Sequence, residues 1–566
     1  MTTTGEHDDD PPPAAGVPRD VPAEVRSRRS MLALAAVESG RLLRHPAVLA
    51  ATALSVWLLW RWGRGTVPVL HYADIATQFP LAPLAAAALL ATNLAVLRPH
   101  RDGAVDLYGA TRLSLARRTL AHLLSVLPLA ALGGVLVVVD LTWLAGVPGS
   151  VGAPHIAEAA TGPALIVLGG CLGVLLGRVW RSVAVAPLVL VGLAVGSLTL
   201  ADLYVGGHDQ RSWVWLGTLL RPVTIDPPPV ALLGRPATWH LVYLLGAAIL
   251  LGALAVWRSQ AQAQAQARAR RRARAVTGAV VVAALAVATA AAVAQTRPTS
   301  PALAAQRLAA ASNPTAHQVC QQRGPAVYCV FPGFEPQIAL WEPTVRAVLA
   351  GVPPAAATRA APVTVAQRIG WGRLAQDEDR LADAQSSGRG DNGPVAPVGT
   401  IWGRDGQALA TSQARLASNV AARVIGPPDQ VLEPDGEQPK SSSGPAVEMA
   451  APGEGCGARA VVALWLAARA SSHAAVGLRQ QVTDGRLPFI TFTNDVDADD
   501  VVWGMREGQF ALALLERPSD QVAQTVWRNW DLLMAPATTL ERLGELVGVQ
   551  PPPHRAPAPE FGENLC

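Results

Sequence analysis

Seven apolar stretches, each nearly free of charge, occupy the first half of this chain and constrain its fold more than any other feature. They run Pro46 to Trp60, Phe79 to Leu97, Leu120 to Leu144, Ala159 to Gly177, Val183 to Ala201, Leu241 to Trp257 and Val276 to Ala294. Most have the length an α-helix needs to cross about 30 Å of hydrocarbon at about 1.5 Å per residue. The first is short, but Arg44, Arg61 and Trp62 at its ends extend its reach by sitting in the headgroup layer. The expected fold class is therefore an α-helical polytopic membrane domain of six spans plus a seventh.

Arginine placement orients these spans, because positive charge is retained on the cytoplasmic side. With the amino terminus inside, 19 arginines fall on the inner segments, among them Arg98, Arg101, Arg112, Arg117 and Arg118. Only 5 fall on the outer loops: Arg61, Arg64, Arg211, Arg221 and Arg235. Seven crossings that start inside end outside. The expected organisation is a disordered, acidic and Pro-rich cytoplasmic segment (1–27), a six-span domain (28–258), a basic cytoplasmic linker (259–275), a seventh span (276–295) and an extracytoplasmic domain (296–566). The opening shows no cleavable signal, so the first span is expected to act as signal anchor in a plasma membrane.

Charge by region removes a nucleic-acid reading. From Arg297 onward there are 22 Lys plus Arg against 27 Asp plus Glu, which leaves 24 against 15 before it. The basic excess belongs to the membrane half, where the tract Ala267 to Arg274 lies within reach of anionic headgroups. Lys440 is the single lysine, and it follows a proline in Gln438-Pro439-Lys440. A Walker-type phosphate loop needs lysine after a glycine-rich turn, so the chain binds no ATP by that route. No cofactor and no metal are expected.

Ahead of the first span, Arg28 to Arg44 reads as a weakly amphipathic helix, with Leu32, Ala35, Ala36, Leu42 and Leu43 on one side and Glu38, Arg41 and Arg44 on the other. It would lie in the inner interface or extend the first span. Gly169, Gly173 and Gly177 recur at four-residue spacing, as do Gly192 and Gly196 on the next stretch, which predicts close packing between spans four and five, or between two copies. Polar residues inside spans are costly. Asn93 and Asp140 are therefore candidates for a translocation path; for Asp140 the competing reading is that it ends the apolar run by reaching water. Pro128 with Gly133 and Gly134 predicts a kink in the third span.

The region after Thr296 reads as a mainly helical α+β domain. Ala326 to Phe331 and, more weakly, Phe489 to Thr493 are predicted strands. Helices are predicted over Ala458 to Arg479, Asp499 to Leu515, Ser519 to Leu533 and Thr538 to Val547, with Asp497 and Ser519 as N-caps. The eight residues between Cys320 and Cys329 favour a disulfide there, leaving Cys456 with Cys566; unpaired thiols are the alternative. Asp495, Asp497, Asp499 and Asp500 lack the glycine and the final glutamate of a calcium loop. No zinc or nucleophile pattern is present, so the domain is expected to bind rather than catalyse.

The loop Arg98 to Arg118 carries one further signal. Its order of a basic residue (Arg101) with Asp102, then Gly103, Asp106-Leu107, Ala110-Thr111 and Arg112 resembles the first cytoplasmic loop of ABC export permeases of the type-two class. Leu42-Leu43-Arg44-His45-Pro46 is similar to the entry into the first span in actinobacterial members. The resemblance covers about residues 28–258, and its loop pattern is short and degenerate. It departs from the family at Asp106, where glutamate or a longer charged stretch is usual, and in having a seventh span and an outer domain. What it implies is a non-enzymatic permease subunit, driven by a separate cytosolic ATPase docked on Arg101, Asp102, Gly103, Asp106, Leu107, Thr111 and Arg112, and a homo- or heterodimeric pathway. The alternative is a membrane-anchored sensor or envelope-binding protein whose outer domain recognises a ligand. On the residues alone, the loop is either a lever moved by a partner or a connector whose arginines set topology.

Overall fold

The structure is a computed structural model; it describes residues 23–106, 113–206, 215–217, 227–261, 267–369, 395–425, 455–484, 489–490, 501 and 503–553. Helix dominates. Two helices open the chain, α1 (Ala23–Leu43) and α2 (Pro46–Trp62), meeting at a 60° bend where Pro46 starts α2 behind the His45 cap. A short α3 (Leu70–Ala76) leads directly into α4 (Gln78–Arg101). Then follow α5 (Leu115–Leu124), α6 (Leu127–Ala145), α7 (Thr161–Val179), α8 (Val185–Gly206), α9 (Ala237–Ala261) and α10 (Ala267–Gln295).

Five stretches are long and apolar enough to cross a membrane: Leu70–Arg101, Leu115–Ala145, Ile156–Val179, Ala237–Ala261 and Arg271–Gln295. The bent pair Ser27–Leu43 with Pro46–Trp62 makes a sixth, and Val185–Ser197 is a shorter apolar helix. Their outward surfaces carry exposed Leu54, Trp57, Val138, Val139, Leu188, Val191, Ile249 and Val282. A belt of this kind suits lipid as solvent, and the chain reads as a membrane protein. The third stretch breaks at Ser125 and Val126, where Pro128 cannot donate to the preceding turn. The basic stretch expected to be a linker is helical from Ala267, the start of α10.

Two sequence expectations about packing change. Gly169, Gly173 and Gly177 face α4, not α8: a Cβ on Gly173 would meet the Leu89 carbonyl and the Thr92 hydroxyl, and one on Gly177 would meet Val96. The Thr92 hydroxyl donates to the Gly170 carbonyl at 3.1 Å, so the seam joins α4 and α7 through backbone contact. Among the described residues, Gly192 and Gly196 on α8 have nothing near them and form no seam.

The amphipathic side of α1 also differs. Its buried positions are Ala35, Glu38 and Leu42, while Leu32 is 56% exposed. Glu38 faces inward because Arg98 at the end of α4 reaches it at 3.1 Å and Arg41 at 2.7 Å. A partner cation recovers the cost of placing a carboxylate inside the contact.

The C-terminal half builds a four-stranded sheet in the order β1 (Val319–Arg323), β2 (Ala326–Val330), β3 (Val363–Gln367) and β4 (Val395–Val398). The first pair is antiparallel and the other two are parallel. A tight turn at Gly324 joins β1 to β2 and sets Cys320 opposite Cys329, where they form a disulfide. Helix α11 (Pro301–Ser312) precedes the sheet, α12 (Ile338–Ala350) crosses from β2 towards β3, and α13 (Gly406–Ile425) and α14 (Gly457–Arg469) complete the core with Trp341 and Trp465.

The helix predicted over Ala458 to Arg479 is two, α14 and α15 (Ser472–Asp484), broken at Ser471, whose hydroxyl accepts from the Ala474 amide. The helix predicted from Asp499 begins at Met505, because Trp503 and Gly504 pair with Phe489 and Ile490 as a two-stranded sheet; this is α16 (Met505–Leu515). The segment from Ser519 is helical over Ser519–Arg528 and again over Trp530–Met534; Pro518 holds the cap position expected of Ser519. The last predicted helix is Leu540–Val547, capped by Thr539. The cap expected at Asp497 lies outside the described residues. Cys456 is disulfide-bonded, and Cys566 lies outside the described residues.

Candidate functional site

The connections at one end of the helical bundle are buried under the C-terminal half. In the segment after α2, the Val67 amide donates to the Trp402 carbonyl at 2.7 Å, and the Arg404 amide donates to Gly65 at 3.1 Å. The Val151 amide in turn donates to the Pro68 carbonyl at 3.1 Å. Val67, Val69, Val151 and Leu232 from the helical half belong to the same hydrophobic core as the sheet and its helices. Gly149, with φ of +80°, lets the chain pass close beneath Leu340 of α12. The Arg404 guanidinium lies 5.2 Å from the Trp143 ring, and Arg307 of α11 donates to the carbonyls of Leu232 and Leu233 at 2.9 and 2.8 Å. Each fully buried Val or Leu here contributes up to about 1.5–3 kcal/mol, so the junction is a packed core, not a loose contact.

Beneath that junction is a charged cluster. Asp74 is fully buried and accepts from the backbone amides of Ile75 at 2.6 Å and His155 at 2.7 Å. The Arg235 guanidinium reaches Glu158 at 3.0 Å and the His71 carbonyl at 3.2 Å, and lies over the Tyr72 ring. The Nε2 of His71 donates to the Pro228 carbonyl at 2.9 Å, and its ring meets Phe334 edge-on. Two carboxyls against one guanidinium in a dry setting tie together α3, the Ile156–Ala159 turn and the start of α9. Arg235 is paired with Glu158, so removing either one alone leaves the other without its partner.

Charge-bearing residues within apolar spans were the expected signal, and Asp74 and Glu158 lie just outside the charge-free runs of the sequence, although inside the crossing-length stretches Leu70–Arg101 and Ile156–Val179. Asp74 and Glu158 precede the long apolar runs, where a charge looks like ordinary interface. An acid inside Leu-His-Tyr-Ala-Asp-Ile-Ala, and Arg235 as the lone arginine near the sixth stretch on its side, were the available signals.

At the opposite end of the bundle the described loop residues are exposed. The α4 helix stops where Gly103 adopts φ of +63°, with the Asp102 amide bonded to Arg98 and the Ala104 amide to Pro99. Arg101, Asp102, Gly103, Val105 and Asp106 are exposed. Leu107, Thr111 and Arg112 lie outside the described residues. The loop's flanks are fixed: Glu38 clamps Arg98 on one side, and on the other α1 packs along α5, with Arg117 bonded to Ser27.

Asn93 and Asp140 sit in different settings. Asn93 is buried and donates to the Gly173 carbonyl at 3.4 Å, adding to the α4–α7 seam. Asp140 is half-buried beside exposed Val138 and Val139, and among the described residues it has no hydrogen bond or ion pair. Among the described residues, no three His, Cys, Asp or Glu side chains are grouped to hold a metal. No protein family, curated protein or solved structure matches this chain.

Proposed function

We propose that the chain is the membrane-spanning permease subunit of an ABC exporter, worked by a separate cytosolic ATPase that docks on the loop from Arg101 to Arg112. The observation that carries this reading is the continuity of Leu70–Arg101, which links the exposed loop at one end to the buried Asp74 cluster at the other. A push on the loop is then passed along a helix rigidly seamed to α7 and delivered to the C-terminal half. Arginine asymmetry places the loop in the cytosol and the C-terminal half outside, as an extracytoplasmic domain above six spans and a seventh. The open faces of α8 and α6, with Gly192, Gly196 and Asp140, are where a second permease subunit would seat.

The experiment is recovery of the tagged protein from its native membrane in detergent, assayed for ATP hydrolysis, against Asp106→Arg. An ATPase that copurifies with the wild type and is lost from the variant supports the reading. A stable, ATPase-free preparation of both favours a membrane-anchored sensor or envelope-binding protein. That second reading draws on a recess of about 420 Å³ in the C-terminal half, edged by Arg359, Arg423, Trp530 and Asp531, which suits a polar ligand.

A further inference from the structure

A groove of about 350 Å³ opens on the side of the helical bundle between α5, α7, α9 and α10. Its walls include Leu120, Cys171, Ile249, Gly252, Val276 and Val280, and they are almost wholly apolar. The volume falls within the roughly 300–1,000 Å³ typical of sites for small apolar ligands. Bare Gly252 keeps the floor low: a Cβ there would already touch Leu123 at 3.4 Å and Cys171 at 3.8 Å.

The walls are pinned at the end nearer the basic start of α10. The Thr119 and Ser259 hydroxyls are 2.8 Å apart and join α5 to α9. The Gln260 amide donates to the Thr277 hydroxyl at 3.0 Å and joins α9 to α10. Such bonds between helices hold the spacing of the groove where the surrounding medium supplies no alternative partner.

Charge sits at that same end. On α10, Arg272, Val276 and Val280 follow one another at four-residue spacing, so an exposed arginine lies one turn beyond the apolar wall on the same helix face. On α5, exposed Arg117 stands three residues before Leu120, with its guanidinium bonded to Ser27 of α1. Arg274 lies over the Trp257 ring, which holds a third cation nearby. An apolar slot capped by guanidiniums at one end matches one chemistry: an acyl chain in the slot and a phosphate at the arginines.

We propose that this groove is a binding site for one anionic phospholipid, its acyl chain lying between α9 and α10 and its phosphate held by Arg272. The proposal rests on the membrane reading but not on the transport reading, since neither the ATPase nor the outer domain takes part. A neutral lipid lacks the net charge to which the arginines respond.

The test is native mass spectrometry of the full-length protein from its own membrane, with phosphatidylglycerol or phosphatidylcholine added back after delipidation. Ala253→Phe fills the slot from its half-buried rim, Arg272→Gln removes one headgroup contact, and Val138→Phe on a distant lipid-facing surface is the control. The expected result is one retained phosphatidylglycerol, lost in Ala253→Phe, weakened about fivefold in Arg272→Gln, and kept in Val138→Phe. Equal retention in wild type and Ala253→Phe, or equal retention of the two lipids, overturns the proposal. So does a protein dimer that Ala253→Phe disperses with no lipid bound. Thermal unfolding of each variant separates a filled slot from a misfolded chain. A chain absent from the membrane fraction would instead count against the membrane reading itself.

Discussion

The two ends of α4 are built differently. At the C-terminal-domain end, Asp74, Glu158 and Arg235 are buried and satisfied within the chain, under a core shared with the sheet. At the loop end, Arg101, Asp102 and Asp106 are exposed, and the one buried acid, Glu38, serves to brace Arg98. One end is constructed to hold two halves of the molecule together. The other presents charge on a braced stem, which suits contact with a partner rather than internal stability.

The largest expected effect is at the buried end. Glu158→Gln leaves Arg235 uncompensated and should cost about 3–5 kcal/mol of stability, read as a fall in thermal unfolding temperature and faster proteolysis of the C-terminal half. Adding Arg235→Gln should recover part of that loss, and a cost confined to the first variant's activity would break the comparison. Next is the seam between the ends. Gly173→Leu drives a side chain into Leu89 and Thr92 and should cost about 1–3 kcal/mol, whereas Gly192→Leu, with open space around it, should cost nothing measurable in detergent.

A smaller effect is expected at the braced end. Glu38→Gln weakens two charge-assisted bonds whose arginines are 34% and 56% exposed, so about 1 kcal/mol remains after solvent screening. A loss as large as that at Glu158 would erase the distinction between the ends. The smallest effect sharpens the account of the C-terminal half. Burial pushes Glu507 above the usual glutamate range although one of its oxygens accepts from the Gly457 amide. Its contribution is complete below the ordinary glutamate pKa and is lost as pH rises through the raised value. Glu507→Gln should therefore flatten the fall in stability between mildly acidic and neutral pH, measured by denaturant unfolding.

Periodicity and length made the apolar helices, the β2 strand and the Cys320–Cys329 pair readable, because each depends on local pattern. Partner choice depended on distant residues and was not readable. The glycines of α7 chose α4 over their sequence neighbour α8, and Glu38 turned inward only because Arg98, 60 residues away, reaches it. Strands β1, β3 and β4 were missed because Val-Cys-Gln-Gln-Arg and its counterparts are short, and parallel pairing takes its partners from far along the chain. The Asp74–Glu158–Arg235 cluster is assembled from three separated segments, each with a single ordinary-looking charge.

The central claim is that the two ends of α4 face different compartments, with the loop in the cytosol. It is tested by labelling Arg101→Cys and His317→Cys, both at exposed positions, with a membrane-impermeant maleimide in intact cells, against the wild-type background. The account predicts that His317→Cys is labelled directly and Arg101→Cys only after permeabilisation. Labelling of both in intact cells, or the reverse order, would contradict it.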